Sequence, residues 1–496
     1  MEERQQLSKT FKPSWIWAIA LGSAIGWGAY VAPVDWMAKA GPLGTIIGFA
    51  IGAVLMMIIA VSYGFLIKSF PVSGGEFAYS YVGFGRNHAY ICGWFLVLGY
   101  MSIIALNASA LALLGKYVIP SVAAQVFMYE IAGWEVYLTE VLIASLALIV
   151  FAYLNIKGAQ LSGRAQFIFC IIMIAGVLLL FIGALFHPST SFENVQPLFN
   201  PEISSLAAVL AIVAIAPWAY VGFDNVPQAA EEFKFSPQKA FSLIIIALIF
   251  AGVVYCLMIL TTALGAPWQD LVAQSPLWGT GDVVTSLFGG FGLFVLVIAV
   301  LMGIFTGLNG FYISASRLLF AMGRAQILPK AFAKLHPKYN TPHVGVIFAC
   351  IFCLIAPWFG RQALLWIVDM ASIGVTIAYF YTCAVAYKFF RWSEADQRAT
   401  HPNAIVAPGK KVLSLLGAIS GLCFLGLLLI PGSPAALGVP SLIALLVWIA
   451  LGILFYLYRG RAYRAISKEN LDYYIIGDSS PASTEIPASK GSEASL

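Results

Sequence analysis

Gly22-Ser23-Ala24-Ile25-Gly26-Trp27-Gly28 interrupts an apolar stretch that runs from Pro13 to Val34. Pro217-Trp218-Ala219-Tyr220-Val221-Gly222 interrupts a second one, from Ile203 to Phe223. A helix in lipid keeps its backbone hydrogen bonds because hydrocarbon offers no replacement partners. Two interrupted helices in matching halves of one chain therefore predict a protein-lined polar chamber near the membrane midplane, the pattern of a secondary transporter. The alternative at this level is a glycine-rich packing seam, since small residues also let membrane helices approach closely.

Composition supports the membrane setting. Of 496 residues, 61% are hydrophobic and 10% charged, against about 25% charged in soluble domains. Cutting the apolar stretches at charges and Pro/Gly turns gives twelve spans, each near the ~20 residues a bilayer requires. They are roughly 14–35, 42–67, 88–115, 136–156, 163–186, 203–227, 239–264, 283–322, 342–360, 363–388, 412–431 and 437–458. With a cytoplasmic N-terminus and alternating spans, all but three of the 27 Lys and Arg residues fall inside, including Arg398 and Lys490; Lys39, Lys116 and Arg361 stay outside. That bias predicts both termini in the cytoplasm and a protein integral to the cell membrane. Basic residues spread over six loops and a tail set topology and do not form a nucleic-acid footprint.

The expected organisation is a cytoplasmic N-terminus (1–13), five spans (14–186), five more (203–390), an accessory pair (412–458) and a cytoplasmic tail (459–496). A five-span unit re-enters the membrane in the opposite sense when repeated, so the two sets are inverted. Pro431-Gly432-Ser433-Pro434 splits the accessory pair as an external turn. The tail is rich in Ser, Ala, Pro, Glu and Gly from Asp478 onward and is expected to be disordered. Pro71 to Tyr79, between spans 2 and 3, is read as an amphipathic stretch. All seven cysteines lie in apolar spans without paired spacing and are read as buried thiols, Cys350 and Cys353 among them. The five histidines fall in or near loops without metal-ligand spacing, so no metal and no cofactor is expected. No cluster of acid, base or metal groups suits an enzyme.

Five motifs in order resemble the amino acid–polyamine–organocation family of permeases over about residues 12–390. The run Gly22 to Gly28 with Pro33 resembles that family's unwound first helix, and Pro71-x-Ser73-Gly74-Gly75-x-Phe77-x-Tyr79 its loop between helices 2 and 3. Ala219 to Asp224 with Ala230-Glu231-Glu232 resembles the sixth helix of the cationic amino acid transporter branch. Ala315-Ser316-Arg317 with Met322 and Leu328-Pro329, and Asp369 to Gly374, resemble its eighth and tenth helices. The resemblance implies an all-α membrane protein of the LeuT type: a five-plus-five inverted repeat plus two accessory helices, twelve transmembrane helices in all. It implies an amino acid or related amine as substrate, moved by proton symport or exchange, with no obligate protein partner evident. A polyamine or organic amine permease without carboxylate recognition, a non-transporting amino acid sensor and a channel remain alternatives.

Amino acid recognition needs donors for a carboxylate and acceptors for an ammonium group. Freed N–H groups of Trp27 and Gly28, with Ser23, Ala24 and Gly26 beside them, suit the carboxylate. Carbonyls of Ala216 and Ala219 suit the ammonium. Tyr220 and Gly222 complete the second break, and Tyr100, Asn107 and Asn309 are further pocket candidates. By the resemblance, Trp218 is a gate over the substrate; its other reading is core packing. Asp224 is the proton-coupling candidate, with a helix cap as the competing reading. Glu231 and Glu232 read as ion-pair residues. Asn309-Gly310 replaces the paired hydroxyls of sodium-coupled members, which argues against sodium, and Met173 stands where some bacterial relatives carry lysine. Trp27 replaces the family's usual small residue and narrows the pocket. Asp35 is placed in the outer vestibule.

Overall fold

The computed structural model describes residues 4–131, 134–274, 278–391, 410–433 and 435–477. The helices, in order, are α1 (Pro13–Ile25), α2 (Gly28–Val31), α3 (Pro33–Ser69), α4 (Gly75–Phe84), α5 (Arg86–Val118), α6 (Pro120–Ala123), α7 (Leu138–Ile156) and α8 (Ala159–Leu185). There follow α9 (Ser205–Val213), α10 (Ala216–Ala219), α11 (Asn225–Gln228), α12 (Gln238–Gly265), α13 (Trp268–Gln274), α14 (Gly279–Arg324), α15 (His343–Cys353) and α16 (Gly360–Arg391). Last come α17 (Lys411–Leu429), α18 (Val439–Ala465) and α19 (Lys468–Ile476).

Among the described residues, nine helices are long and apolar enough to cross a membrane: α3, α5, α7, α8, α12, α14, α16, α17 and α18. The three remaining expected spans, 14–35, 203–227 and 342–360, are built from shorter helices. Outward faces carry large apolar side chains such as Leu146, Leu206, Leu446 and Leu454, each more than 60% exposed. Water would oppose such a surface, whereas lipid tails match it.

Several expectations need correction. The chain is not purely helical: Phe127–Ile131 (β1) and Trp134–Tyr137 (β2) pair antiparallel between α5 and α7. Their exposure does not alternate strictly, and a register shift falls between Phe127 and Tyr129. Residues 71–79 are not amphipathic, because α4 buries Glu76 through Tyr81 on every side. The tail is structured through Gly477: α18 continues past residue 459, and α19 buries Leu471, Tyr474, Ile475 and Ile476. Ser467 caps α19, accepting from the Asn470 N–H at 3.2 Å. Cys423 is exposed, unlike the other thiols. Arg398, Pro434, Lys490 and the rest of 478–496 lie outside the described residues.

Two further breaks interrupt long helices, one at the expected boundary between spans 14–35 and 42–67 and one inside the expected span 283–322. Gly41 takes φ 70° inside α3, a region open to glycine at little cost. The freed backbone is re-bonded there: Leu43 N–H donates to Leu198 O at 2.9 Å, and Asn200 N–H to Ala40 O at 3.2 Å. Gly289 bends α14 in the same way, with φ 61°.

The N-terminal segment meets α19, where Arg4 Nε donates to Tyr474 O at 3.4 Å. A clamp closes this region. Phe11 and Phe233 form a parallel bridge, Phe11 N–H donates to Glu232 O, and Lys234 N–H to Phe11 O, both at 2.9 Å. Arg317 grips the Glu232 carboxylate with Nε at 2.7 Å and Nη2 at 3.2 Å, both side chains being almost fully buried. Glu231 receives Arg324, Arg4 and the backbone N–H groups of Leu7 and Ser73. Burial pushes the Glu231 carboxyl up, but Arg324 and Arg4 outweigh it and hold it below the usual carboxylate range. A depressed acid contributes stability above its unfolded pKa and loses it as pH falls through the folded value. Glu231 and Glu232 are thus ion-pair residues, as the sequence suggested.

Removing one partner of a buried pair strands the other charge. We expect Glu232→Ala to cost about 3–5 kcal/mol, read as a fall in unfolding midpoint of the purified protein. A loss under ~1 kcal/mol, the range of surface pairs, would contradict a buried clamp.

Candidate functional site

The first break lies at Gly26-Trp27. Gly26 takes φ 52° and ψ −151°, which ends α1, and its N–H returns to Gly22 O at 3.1 Å. Among the described residues, the Trp27 N–H meets no backbone acceptor. Gly28 opens α2, so its own helix does not require its N–H. Gly303 of α14 permits the close pass, because a Cβ there would stand 2.3 Å from Gly26 O.

The second break spans Tyr220 to Asp224, between α10 and α11. Pro217 sits in the first turn of α10, where no N–H is needed. Gly222 takes φ 135°, and a Cβ on it would lie 2.5 Å from Ala24 N and 2.7 Å from Ser23 C. The second break therefore packs on the last turn of α1, just ahead of the first break, and Gly222 is the residue that allows it.

One hydroxyl joins both. Tyr255 Oη, from α12, lies 2.6 Å from Ala219 O and 2.9 Å from Ala24 O. It has one hydrogen, so it serves one of these carbonyls at a time. Ser23 Oγ, Asp224 Oδ2 and both side-chain polar atoms of Asn225 are buried and have no protein partner. Unmatched buried polar groups in native structures call for an explanation, and here they cluster at the meeting of the breaks.

Trp218 lies over Gly28, where an added Cβ would come 3.0 Å from the indole Cη2. Its ring meets Trp27 edge-on at 6.5 Å. Beside Trp27 is a small cavity of about 20 Å³ lined by Val31, Ala110, Leu114, Trp278 and Ile304, among others. Its walls are apolar and aromatic.

Tyr100 lies at the second break, its hydroxyl donating to Asp224 O at 3.1 Å. Asp224 does not cap α11 with its side chain; Oδ1 instead accepts the Gly222 N–H at 2.7 Å. Ala216 O already accepts the Tyr220 N–H at 3.0 Å, which leaves one lone pair. Two candidates point elsewhere. Tyr220 is directed into the packing against α3: its hydroxyl donates to Phe49 O at 2.8 Å, and its ring meets Phe49 and Tyr255 edge-on. Asn309 has its amide filled: Nδ2 donates to Gln166 Oε1 at 2.8 Å and Ser162 O at 2.9 Å, and Oδ1 accepts from Asn155 at 3.0 Å. Asn107 donates to Ile103 O and leaves Oδ1 unmatched.

Sequence reasoning passed over Tyr255 and Glu76. Glu76 on α4 is fully buried, receives Tyr63 Oη at 2.9 Å and Gln228 Nε2 at 2.6 Å, and forms no ion pair among the described residues. A lone acid in an apolar run is the signal that could have found it. Tyr255 gives no such signal, being an ordinary aromatic in an apolar span. Thr306 Oγ1 donates to Gly22 O at 2.9 Å, and Gln166 Nε2 to Ala18 O and Thr306 O. These contacts pin α1 just before its break.

A family model described as "Amino acid permease" matches residues 15–455. The chain is 26% identical over 474 residues to the branched-chain amino acid permease BcaP of Bacillus subtilis, covering 91% of this chain and 92% of that protein. It is 26% identical over 481 residues to a methylthioribose transporter of the same organism, covering 94% and 96%. It is 27% identical over 355 residues to the human large neutral amino acids transporter small subunit 2, covering 68% and 62%.

Gly222→Ala forces a Cβ into the last turn of α1 and an unfavourable φ. Such strain costs on the order of 1–3 kcal/mol, so we expect substrate affinity to fall roughly tenfold or more, measured by binding to the purified protein. Wild-type affinity would show that the breaks do not need this contact.

Proposed function

The chain belongs to the amino acid permease family, and we propose that it carries an amino acid with an apolar side chain across the membrane by alternating access. The family and the relatives are transporters, not enzymes. The chain is an integral membrane protein by family and by its nine long apolar helices among the described residues. The observation that carries the finer reading is the close approach of two helix breaks, one presenting N–H groups and the other carbonyls.

In this reading the substrate carboxylate docks on the Trp27 and Gly28 N–H groups, with Ser23, Ala24 and Gly26 around it. The ammonium takes the carbonyl that Tyr255 leaves unserved, at Ala219 or Ala24. The side chain lies toward Trp27 and the apolar cavity. BcaP, named for branched-chain amino acids, supports an apolar substrate. Trp218 covers the site as a gate.

The fold belonging to this reading is a LeuT-type arrangement: repeats 14–186 and 203–390 inverted about the site, accessory spans at 412–458, and both termini in the cytoplasm. The charge bias supports that orientation. Sodium is disfavoured because Thr306 is bonded to Gly22 and Gly303 carbonyls and the Asn309 amide is filled. Asp224, buried with Oδ2 unmatched, carries the coupled proton, or else the cycle is substrate exchange. A second reading is an organic amine without a carboxylate. The carboxylates of Asp224 and Glu76, which form no ion pair among the described residues, favour it.

Radiolabelled leucine uptake into proteoliposomes, competed by a panel of amino acids and amines, tests the proposal. We expect apolar amino acids to compete best. Binding without flux would identify a sensor, and competition by amines alone would favour the second reading. Trp218→Ala is expected to slow uptake several-fold with the fold intact; wild-type kinetics would remove the gate. Asp224→Asn is expected to flatten the pH dependence of uptake, and an unchanged profile would end its coupling role.

A further inference from the structure

A second polar site lies away from the helix breaks, where the N-terminal segment meets α19. It is an open cavity of about 650 Å³ between the N-terminal segment, the end of α14, the loop that follows it and α19. Its wall includes Arg4, Arg324, Lys330, Lys334 and His343 and, among the described residues, no Asp or Glu. The nearby carboxylate of Glu231 is engaged by Arg4 and Arg324 and is not part of that wall.

Arg324 is the informative residue. Its side chain is 3% exposed. Nη1 is held by both oxygens of Glu231, at 3.1 and 3.0 Å, and by Gln5 O at 3.1 Å. Nε and Nη2 are buried and have no partner. Those two nitrogens form one edge of the guanidinium, a fork that matches two oxygens of a tetrahedral or planar anion. His343 Nδ1, on the same wall, is also buried and unmatched. Leaving such donors without partners is costly, and an anion drawn to this basic wall would supply the acceptors they lack.

We propose that this cavity binds a phosphate ester, its oxygens bridging the free edge of Arg324 with Lys334 and His343 reaching the same group. A phosphate carries up to two charges and three acceptor oxygens, so one group can serve all three side chains, which a single carboxylate with its one charge and two oxygens does less well. The volume falls within the ~300–1,000 Å³ of small-molecule sites, so a nucleotide or a lipid headgroup can both supply the group. The site uses none of the residues assigned to substrate recognition and does not depend on the transport reading.

The test uses the full chain in nanodiscs. In phosphatidylcholine discs, ATP is titrated and the unfolding temperature followed; separately, ATP-free discs containing phosphatidic acid are compared with pure phosphatidylcholine. We expect a saturable rise with one of these probes. A rise with ATP identifies a soluble ligand, and a rise with phosphatidic acid alone identifies a lipid headgroup. Lys334→Glu reverses an exposed charge and is expected to weaken the effective probe roughly tenfold, about 1.4 kcal/mol. Arg324→Gln is expected to abolish the effect; if that variant fails to fold, Lys334→Glu alone decides. No rise with either probe, or a rise undiminished in Lys334→Glu, would overturn the proposal.

Discussion

A backbone group freed inside lipid must find a partner within the protein, and the architecture of this chain follows from how that demand is met at two breaks. Thr306 and Gln166 engage carbonyls of α1 ahead of its break. Tyr255 reaches carbonyls from both broken segments with one hydrogen. What remains unmatched there is confined to Ser23, Asp224, Asn225 and the N–H groups at the start of α2. A structural break would leave nothing over. These breaks leave donors on one side and acceptors on the other, which is the complement of a zwitterion.

The same economy of partners separates structural from functional polar groups. The Asn309 amide is taken up by Asn155, Gln166 and the Ser162 carbonyl across three helices, so that side chain fixes packing, while Asn155 Oδ1 stays unmatched. Arg317 and Glu232 likewise saturate each other in the buried clamp. Arg324 differs because Glu231 occupies only one of its terminal nitrogens. Unmatched buried groups also occur elsewhere, at Ser80, Thr376 and Thr382 for example, so it is their grouping with the helix breaks and with the basic cavity that marks the two candidate sites.

Much of this was legible in the sequence, for identifiable reasons. The two breaks advertise themselves because Gly22, Gly26, Gly28, Pro217 and Gly222 cluster where a lipid-crossing helix avoids them. Arg317, Glu231 and Glu232 stand out as charges at the edge of apolar spans. The break at Gly41-Pro42 was legible as the cut between spans 14–35 and 42–67, whereas the one at Gly289 was not, since glycines in a long apolar run are ordinary until φ turns positive. The partners of Asn309 and Tyr220 were not legible, because helical spacing reports which face a residue occupies, not which distant helix meets it. Gln166 and Asn155, which claim Asn309, are each more than 140 residues away. The hairpin at 127–137 escapes a reading of its loop by charge alone, because Phe127-Met128-Tyr129 shows no polar–apolar alternation to mark a strand.

The claim on which the account rests is that the two breaks together hold the substrate. Hydrogen–deuterium exchange of the purified protein, with and without a saturating apolar amino acid, tests it most directly. The account predicts that protection on binding appears in the peptides containing residues 26–28 and 220–224. Protection confined to other segments, with both breaks exchanging unchanged while ligand is demonstrably bound, would contradict it.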